Sequence, residues 1–147
     1  MRLDAATGAV EVRADLVITP TTTPADMKAA GSEHDGYANG WTWERLKEDD
    51  WWVEVSFDPE GVLSMVVLTL DDGQPLGWDH WSEERELAHR DLHDAWLTTQ
   101  LGPTWASETY DGASKGASAT YPWGQIGSDY DTRSGGSSIH IRYAAAQ

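Results

Sequence analysis

Three consecutive stretches of strand-like sequence, residues 41–46, 51–57 and 62–70, constrain the fold of this chain more than any other feature. Val53, Val55 and Phe57 share one face by the period of two that a pleated strand imposes. Turns punctuate the run, an acidic one at Glu48-Asp49-Asp50 and another at Asp58-Pro59-Glu60-Gly61, so the stretch reads as a β-meander. Residues 62–70 are apolar nearly throughout, the pattern of a central strand covered on both faces. Other segments must supply the layers that pack on such a sheet.

The flanking sequence offers them. Val10 and Val12 alternate with polar neighbours and Leu16-Val17-Ile18 follows, which predicts two short strands or one bent one. Thr23 before Pro24 opens a short helix through Met27 and Ala30 that Gly31 stops. Residues 32–40, polar and holding Gly36 and Gly40, are expected to be a mobile loop, and residues 71–81 a second loop rich in turn residues. Ser82 is the expected N-cap of a long helix, because Glu83, Glu84 and Glu86 follow in the first turn, where free N–H groups favour anions. That helix is predicted to run to about Leu101, to pack through Ala88, Leu92, Ala95 and Trp96 with Leu87 flanking, and to end at Gly102-Pro103.

Residues 104–120 are poor in apolar side chains and rich in Gly, Ala and Ser, so a long exposed loop is expected there despite Trp105 and Tyr110. Residues 123–130 and 137–143 predict a terminal hairpin in which Ile139, Ile141 and Tyr143 alternate with His140 and Arg142. The fold class expected is α+β, a single domain over residues 1–147. Its sheet is mostly antiparallel, built from the central meander and the C-terminal hairpin, with one long and one short helix.

Charge narrows the partners. Twenty-five Asp and Glu against ten Lys and Arg leave a net charge of −15 on 147 residues. Such a field repels nucleic acid and anionic membrane and speeds encounter with a basic protein. The absence of cysteine excludes disulfides, thiol catalysis and thiolate metal sites, and fits a reducing compartment. Residues 1–19 hold no apolar run of signal length and no stretch approaches a membrane span, so a soluble, cytoplasmic, monomeric protein is expected.

Candidate chemistry is sparse. His89 and His93, four apart on the long helix, can project from one face and approach the spacing of a metal pair with a carboxylate such as Asp94. Arg90 stands where a zinc-protease motif carries its general-base Glu, so helix-flank histidines are the expected reading, with no metal or cofactor. Asp79 and His80 form an acid and base between Trp78 and Trp81, but a Trp81 staple and an Asp79 turn cap account for them without catalysis. Segments 114–118 and 133–138 lack a nucleophile elbow and a phosphate-loop lysine. No reaction class stands out, and the chain is not expected to be an enzyme.

Recognition is the better-supported class. The acidic clusters are Glu48, Asp49 and Asp50 at one hairpin tip, Asp71 and Asp72 after the central strand, the helix face of Glu83, Glu84, Glu86, Asp91 and Asp94, and Asp129 with Asp131. Charge would set the on-rate and aromatic anchors the grip, with Trp41, Trp51, Trp52 and Trp105 as candidates.

The sequence also carries a resemblance. Thr7-Gly8-Ala9-Val10-Glu11-Val12-Arg13, Trp78-Asp79-His80-Trp81-Ser82-Glu83-Glu84-Arg85-Glu86-Leu87, Tyr121-Pro122-Trp123-Gly124-Gln125-Ile126, Tyr130-Asp131 and Ser137-Ser138-Ile139-His140-Ile141-Arg142-Tyr143 together resemble small single-domain bacterial immunity proteins that accompany polymorphic or contact-delivered toxins. The resemblance spans nearly the whole chain and implies a cognate, basic protein toxin as partner, bound so that its active site is occluded or distorted. Residues 23–70 are more loosely similar to modules of the β-lactamase-inhibitor-protein type, without the export signal and lipid-bearing Cys of that class's lipoproteins. Two other classes remain open: an acidic nucleic-acid mimic that inhibits nucleases, and a small metal-dependent hydrolase using His89 and His93.

Overall fold

A computed structural model describes residues 1–75 and 77–145. The chain opens with a small antiparallel sheet of β1 (Arg2–Leu3), β2 (Val10–Arg13) and β3 (Leu16–Ile18), in that order, with a bulge between Glu11 and Arg13. Helix α1 (Pro24–Ala29) follows as the capping residues predict: the Thr23 hydroxyl accepts the Asp26 N–H while the Asp26 carboxylate accepts the Thr23 N–H.

The main sheet has eight strands, all paired antiparallel, in the order β4-β5-β6-β7-β11-β10-β9-β8. It consists of two four-stranded meanders. The first is β4 (Glu33–Gly36), β5 (Thr42–Glu48), β6 (Trp51–Phe57) and β7 (Leu63–Leu70). A 3-10 turn (Trp78–His80) and helix α2 (Glu83–Leu101) then lead to β8 (Glu108–Asp111), β9 (Ser114–Tyr121), β10 (Gly124–Asp131) and β11 (Gly136–Tyr143). The last strand of each meander meets the other along a short seam, Leu68 opposite Ile139, Val67 opposite His140 and Val66 opposite Ile141. The expected α+β architecture is thus present, with more strands than the sequence signalled.

Three of those strands replace predicted loops. Residues 33–36 pair with β5 as an exposed edge strand, and residues 108–111 with 114–121 form a hairpin at the opposite edge. Strand β9 escapes a propensity argument because its packing demands small side chains: a Cβ on Gly116 would lie 2.0 Å from the Ser128 carbonyl oxygen of β10.

One face of the large sheet is covered. Helix α2 packs on β7, β10 and β11, α1 lies against β5, and the small sheet closes the remainder. Polar links fasten that small sheet: Gln100 Oε1 accepts the Leu3 N–H at 2.9 Å, Trp123 Nε1 donates to Ala5 O at 2.9 Å and the Tyr143 hydroxyl to Gly8 O at 2.8 Å. Gly8 sits at φ +75°, and a Cβ there would press into the Trp123 ring at 2.4 Å. Val53, Val55, Phe57, Val66, Leu68, Ile126, Ile139 and Ile141 form the centre of the core.

Two packing expectations are corrected. Strand β7 is fully buried only through Val66 and Leu68, while Met65, Val67 and Thr69 look outward and are half-buried. The buried stripe of α2 is His89, His93 and Leu97, with Trp96 partly covered, whereas Ala88, Leu92 and Ala95 face solvent. The reason is the seam. Its pairing stops at Leu68, so the backbone of Leu70 on that side needs partners: the His89 Nε2–H donates to Leu70 O, and His93 Nε2 accepts the Leu70 N–H at 2.9 Å. The helix therefore buries hydrogen-bonding rings where hydropathy called for aliphatic ones.

Candidate functional site

Strand alternation sends every second residue of the large sheet to its uncovered face. On the β5–β6 side this presents Trp52, with the Arg45 guanidinium 4.2 Å and the Lys47 ammonium 5.4 Å from the ring centroid. On the β8–β11 side the face sinks into a cavity of about 350 Å³ lined by Glu108, Tyr110, Ser118, Gln125, Gly127, Asp129, His140 and Arg142. All eight come from paired strands, so a rigid hydrogen-bonded ladder holds the cavity.

In its lining, the Tyr110 hydroxyl approaches Asp129 Oδ2 at 3.4 Å and His140 Nδ1 lies 3.7 Å from Asp129 Oδ1, while His140 Nε2 lies 3.1 Å from Ser138 Oγ, outside the lining. Burial depresses the His140 pKa, an effect that Asp129 partly offsets, so the ring is neutral at physiological pH. Burial, reinforced by Asp129, pushes Tyr110 up to about 12 and keeps its hydroxyl a donor. Asp129 Oδ1 is itself buried and finds no hydrogen-bond donor among the described residues. Ser138, His140 and Asp129 have the composition of a hydrolytic triad but not its geometry, since 3.7 Å is too long for the orienting hydrogen bond and the serine lies on a regular strand.

One end of the sheet collects acid. Register places the β5–β6 tip, the end of β7 and the β10–β11 tip together, with Trp51 opposite Leu70, Leu68 opposite Ile139 and Asp131 opposite Gly136. Asp49 and Asp50 are exposed there, and Asp50 O accepts the Asp71 N–H at 2.6 Å. Their neighbours are tied within the molecule. Glu48 meets Arg13 at 3.2 Å, Asp71 meets Lys47 at 2.8 Å, and Asp131 accepts the Arg133 N–H at 2.9 Å. Asp72 forms a two-point fork with Arg85, whose guanidinium also reaches the carbonyls of Pro75 and His80 and thereby ties these three residues to α2. Hydrogen bonds donated by Lys47 to Asp71 and by Arg85 to Asp72 hold both carboxylates below the usual range, with the donors' positive charge adding to the effect.

Not all of the aromatic residues expected to anchor a partner are exposed. Trp51 and Trp105 are core residues, 8% and 9% exposed, Trp51 packing on Trp96 at 4.7 Å between centroids and on His93 at 6.0 Å. Trp41 is exposed as expected, but the most open indole is Trp78, at 75%. Its neighbour Trp81 donates Nε1–H to Gly135 O at 2.7 Å, which fixes it against the β10–β11 tip. Asp79 and His80 lie exposed in the 3-10 turn between these two rings. His89 and His93 are committed to Leu70, and no group of three or more His, Asp or Glu side chains among the described residues is placed to hold a metal.

The fold has a solved counterpart. One chain of a complex described as Rhs1-CT in complex with cognate immunity protein RhsI1 matches all of this chain and 89% of its own length, with a TM-score of 0.59 and 16% identity. At that identity the likeness is one of fold. No protein-family model and no curated protein matches the sequence. Among the described residues no helix is long and apolar enough to cross a membrane.

Sequence reasoning identified Asp129 of this site but missed Glu108 and Tyr110, because their strand was read as loop. The one available signal was the alternation that turns His140 and Arg142 away from Ile139 and Ile141.

Proposed function

We propose that this chain is an immunity protein that binds a cognate protein toxin and occludes or distorts its active site. The observation that carries the reading is the match over the full chain to a fold found in a complex of Rhs1-CT with a cognate immunity protein. The surface fits the role. A sheet face without a covering layer, an acidic end and the exposed Trp78 supply the steering charge and the aromatic grip of a protein interface. A net charge of −15 makes a basic toxin surface the complementary one. The neutralising act is physical, and the chain carries it out as a monomer in the cytoplasm, where an incoming toxin would act.

Co-expression tests the reading. The chain should restore growth to cells producing the toxin encoded beside it and should co-purify with that toxin at a ratio of one to one. Failure of both would end the proposal.

A further inference from the structure

We propose that the β8–β11 cavity is a receptor for a guanidinium group, presented by an arginine side chain on the surface of the protein partner. The inference rests on the immunity reading for the identity of that partner, and on the cavity's own chemistry for the group.

Asp129 lines the cavity, and its Oδ1 is buried without a hydrogen-bond donor among the described residues, His140 Nδ1 being 3.7 Å away, while its other oxygen already faces the Tyr110 hydroxyl. A buried carboxylate oxygen in that state loses free energy that an incoming N–H donor restores. The groups around it favour a cation. Glu108 stands two residues from Tyr110 on the same face of β8, at the rim, and adds a second carboxylate. Burial holds His140 neutral, so the inner ring adds no opposing charge. Arg142 is the one cation of the lining, and it is exposed, where water and salt screen it.

Shape narrows the cation to arginine. Gly127 keeps the cavity floor free of a side chain, so a planar head group can approach beside Tyr110 and Asp129, whose hydroxyl and carboxylate lie 3.4 Å apart. A guanidinium carries five N–H donors in one plane, enough to meet Asp129, Glu108 and the Gln125 amide oxygen together, with the Tyr110 ring beside its face. An ammonium is a compact point charge whose donors do not lie in a plane.

Gly127 also supplies the sharpest variant. A Cβ there would meet Tyr110 Oη at 3.5 Å, Ala117 O at 3.6 Å and Ser118 Cβ at 3.8 Å, all ordinary contacts, so Gly127→Ala fills the floor without disturbing the strands. Asp129→Asn keeps the shape and removes the charge.

The test is a titration of the full-length protein with N-acetyl-arginine-N-methylamide, followed by NMR at the His140 ring and the Gly127 amide. The lysine analogue and acetate serve as comparators. The expected result is a saturable shift with the arginine probe, at least about threefold weaker with lysine and absent with acetate. It should be lost in both Asp129→Asn and Gly127→Ala, whose melting temperatures stay within a few degrees of the parent. No saturable shift, equal response to lysine, or an undiminished shift in both variants overturns the proposal. With the toxin in hand, each variant should weaken the complex at least tenfold, and unchanged affinity in both overturns the assignment to the partner. If the parent chain protects against no toxin while the arginine shift is present, the immunity reading falls and the guanidinium receptor stands.

Discussion

His93 shows how one side chain can serve the backbone more than the core. It is fully buried, yet its Nε2 accepts the Leu70 N–H and Trp51 stacks on its ring. Burial first, then His89 and then His140, lower its pKa to about 3. The unfolded chain holds this histidine near pKa 6.5, so between pH 6.5 and 3 the unfolded state binds the extra proton. Its contribution is therefore intact above about pH 6.5 and is lost as pH falls toward 3, at about 1.4 kcal/mol per unit. Urea unfolding at pH 7.5 and 5.0 checks this. The parent should lose about 2 kcal/mol more than His93→Gln, whose amide oxygen can accept the same N–H without titrating. Equal slopes for the two proteins would show that the ring is not the buried neutral acceptor described.

At the scale of elements, the contrast between Gly116 and Gly127 separates a strand that needs glycine from one that merely contains it. A Cβ at residue 116 meets the Ser128 carbonyl oxygen at 2.0 Å and Asp129 Cα at 2.7 Å, both backbone atoms that cannot rotate away. Gly116→Ala must therefore push β9 from β10, at a cost of about 2–4 kcal/mol. Hydrogen exchange should accelerate across β8 and β9 while β5, β6 and β7 keep their protection, because β8 and β9 hang on the sheet through the β9–β10 ladder. A melting temperature within a degree of the parent would contradict the close approach. The two halves of the sheet also differed in legibility. Val53, Val55 and Phe57 announce β6 by alternation and bulk, whereas Gly116, Ala117, Ser118 and Ala119 form an equally regular strand from residues that resemble a linker. Edge strand β4 was hidden for a related reason, since all four of its residues are exposed and it owes its strand conformation to pairing with β5.

For the whole molecule, a net charge of −15 creates a field. Asp49 and Asp50 are exposed at the end of the sheet where the acidic tips converge and, among the described residues, make none of the ion pairs that occupy Asp71 and Asp72. Replacing both by Asn should slow association with a basic partner severalfold at 50 mM salt, and raising salt to 500 mM should erase most of the difference, as screening shortens the reach of charge to a few ångströms. Stopped-flow association rates report this directly, and a parent rate independent of salt would refute steering. The turns, the caps of both helices, the meander and the terminal hairpin were all determined by the sequence, because each depends on residues within about a dozen positions of one another. The order of the strands, the face of α2 that is buried and the cavity joining Glu108, Tyr110, Asp129 and His140 were decided only by tertiary structure. Each arises where two meanders meet or where a distant backbone group lacks a partner, and no local pattern of hydropathy encodes which hydrogen bonds a seam will leave open.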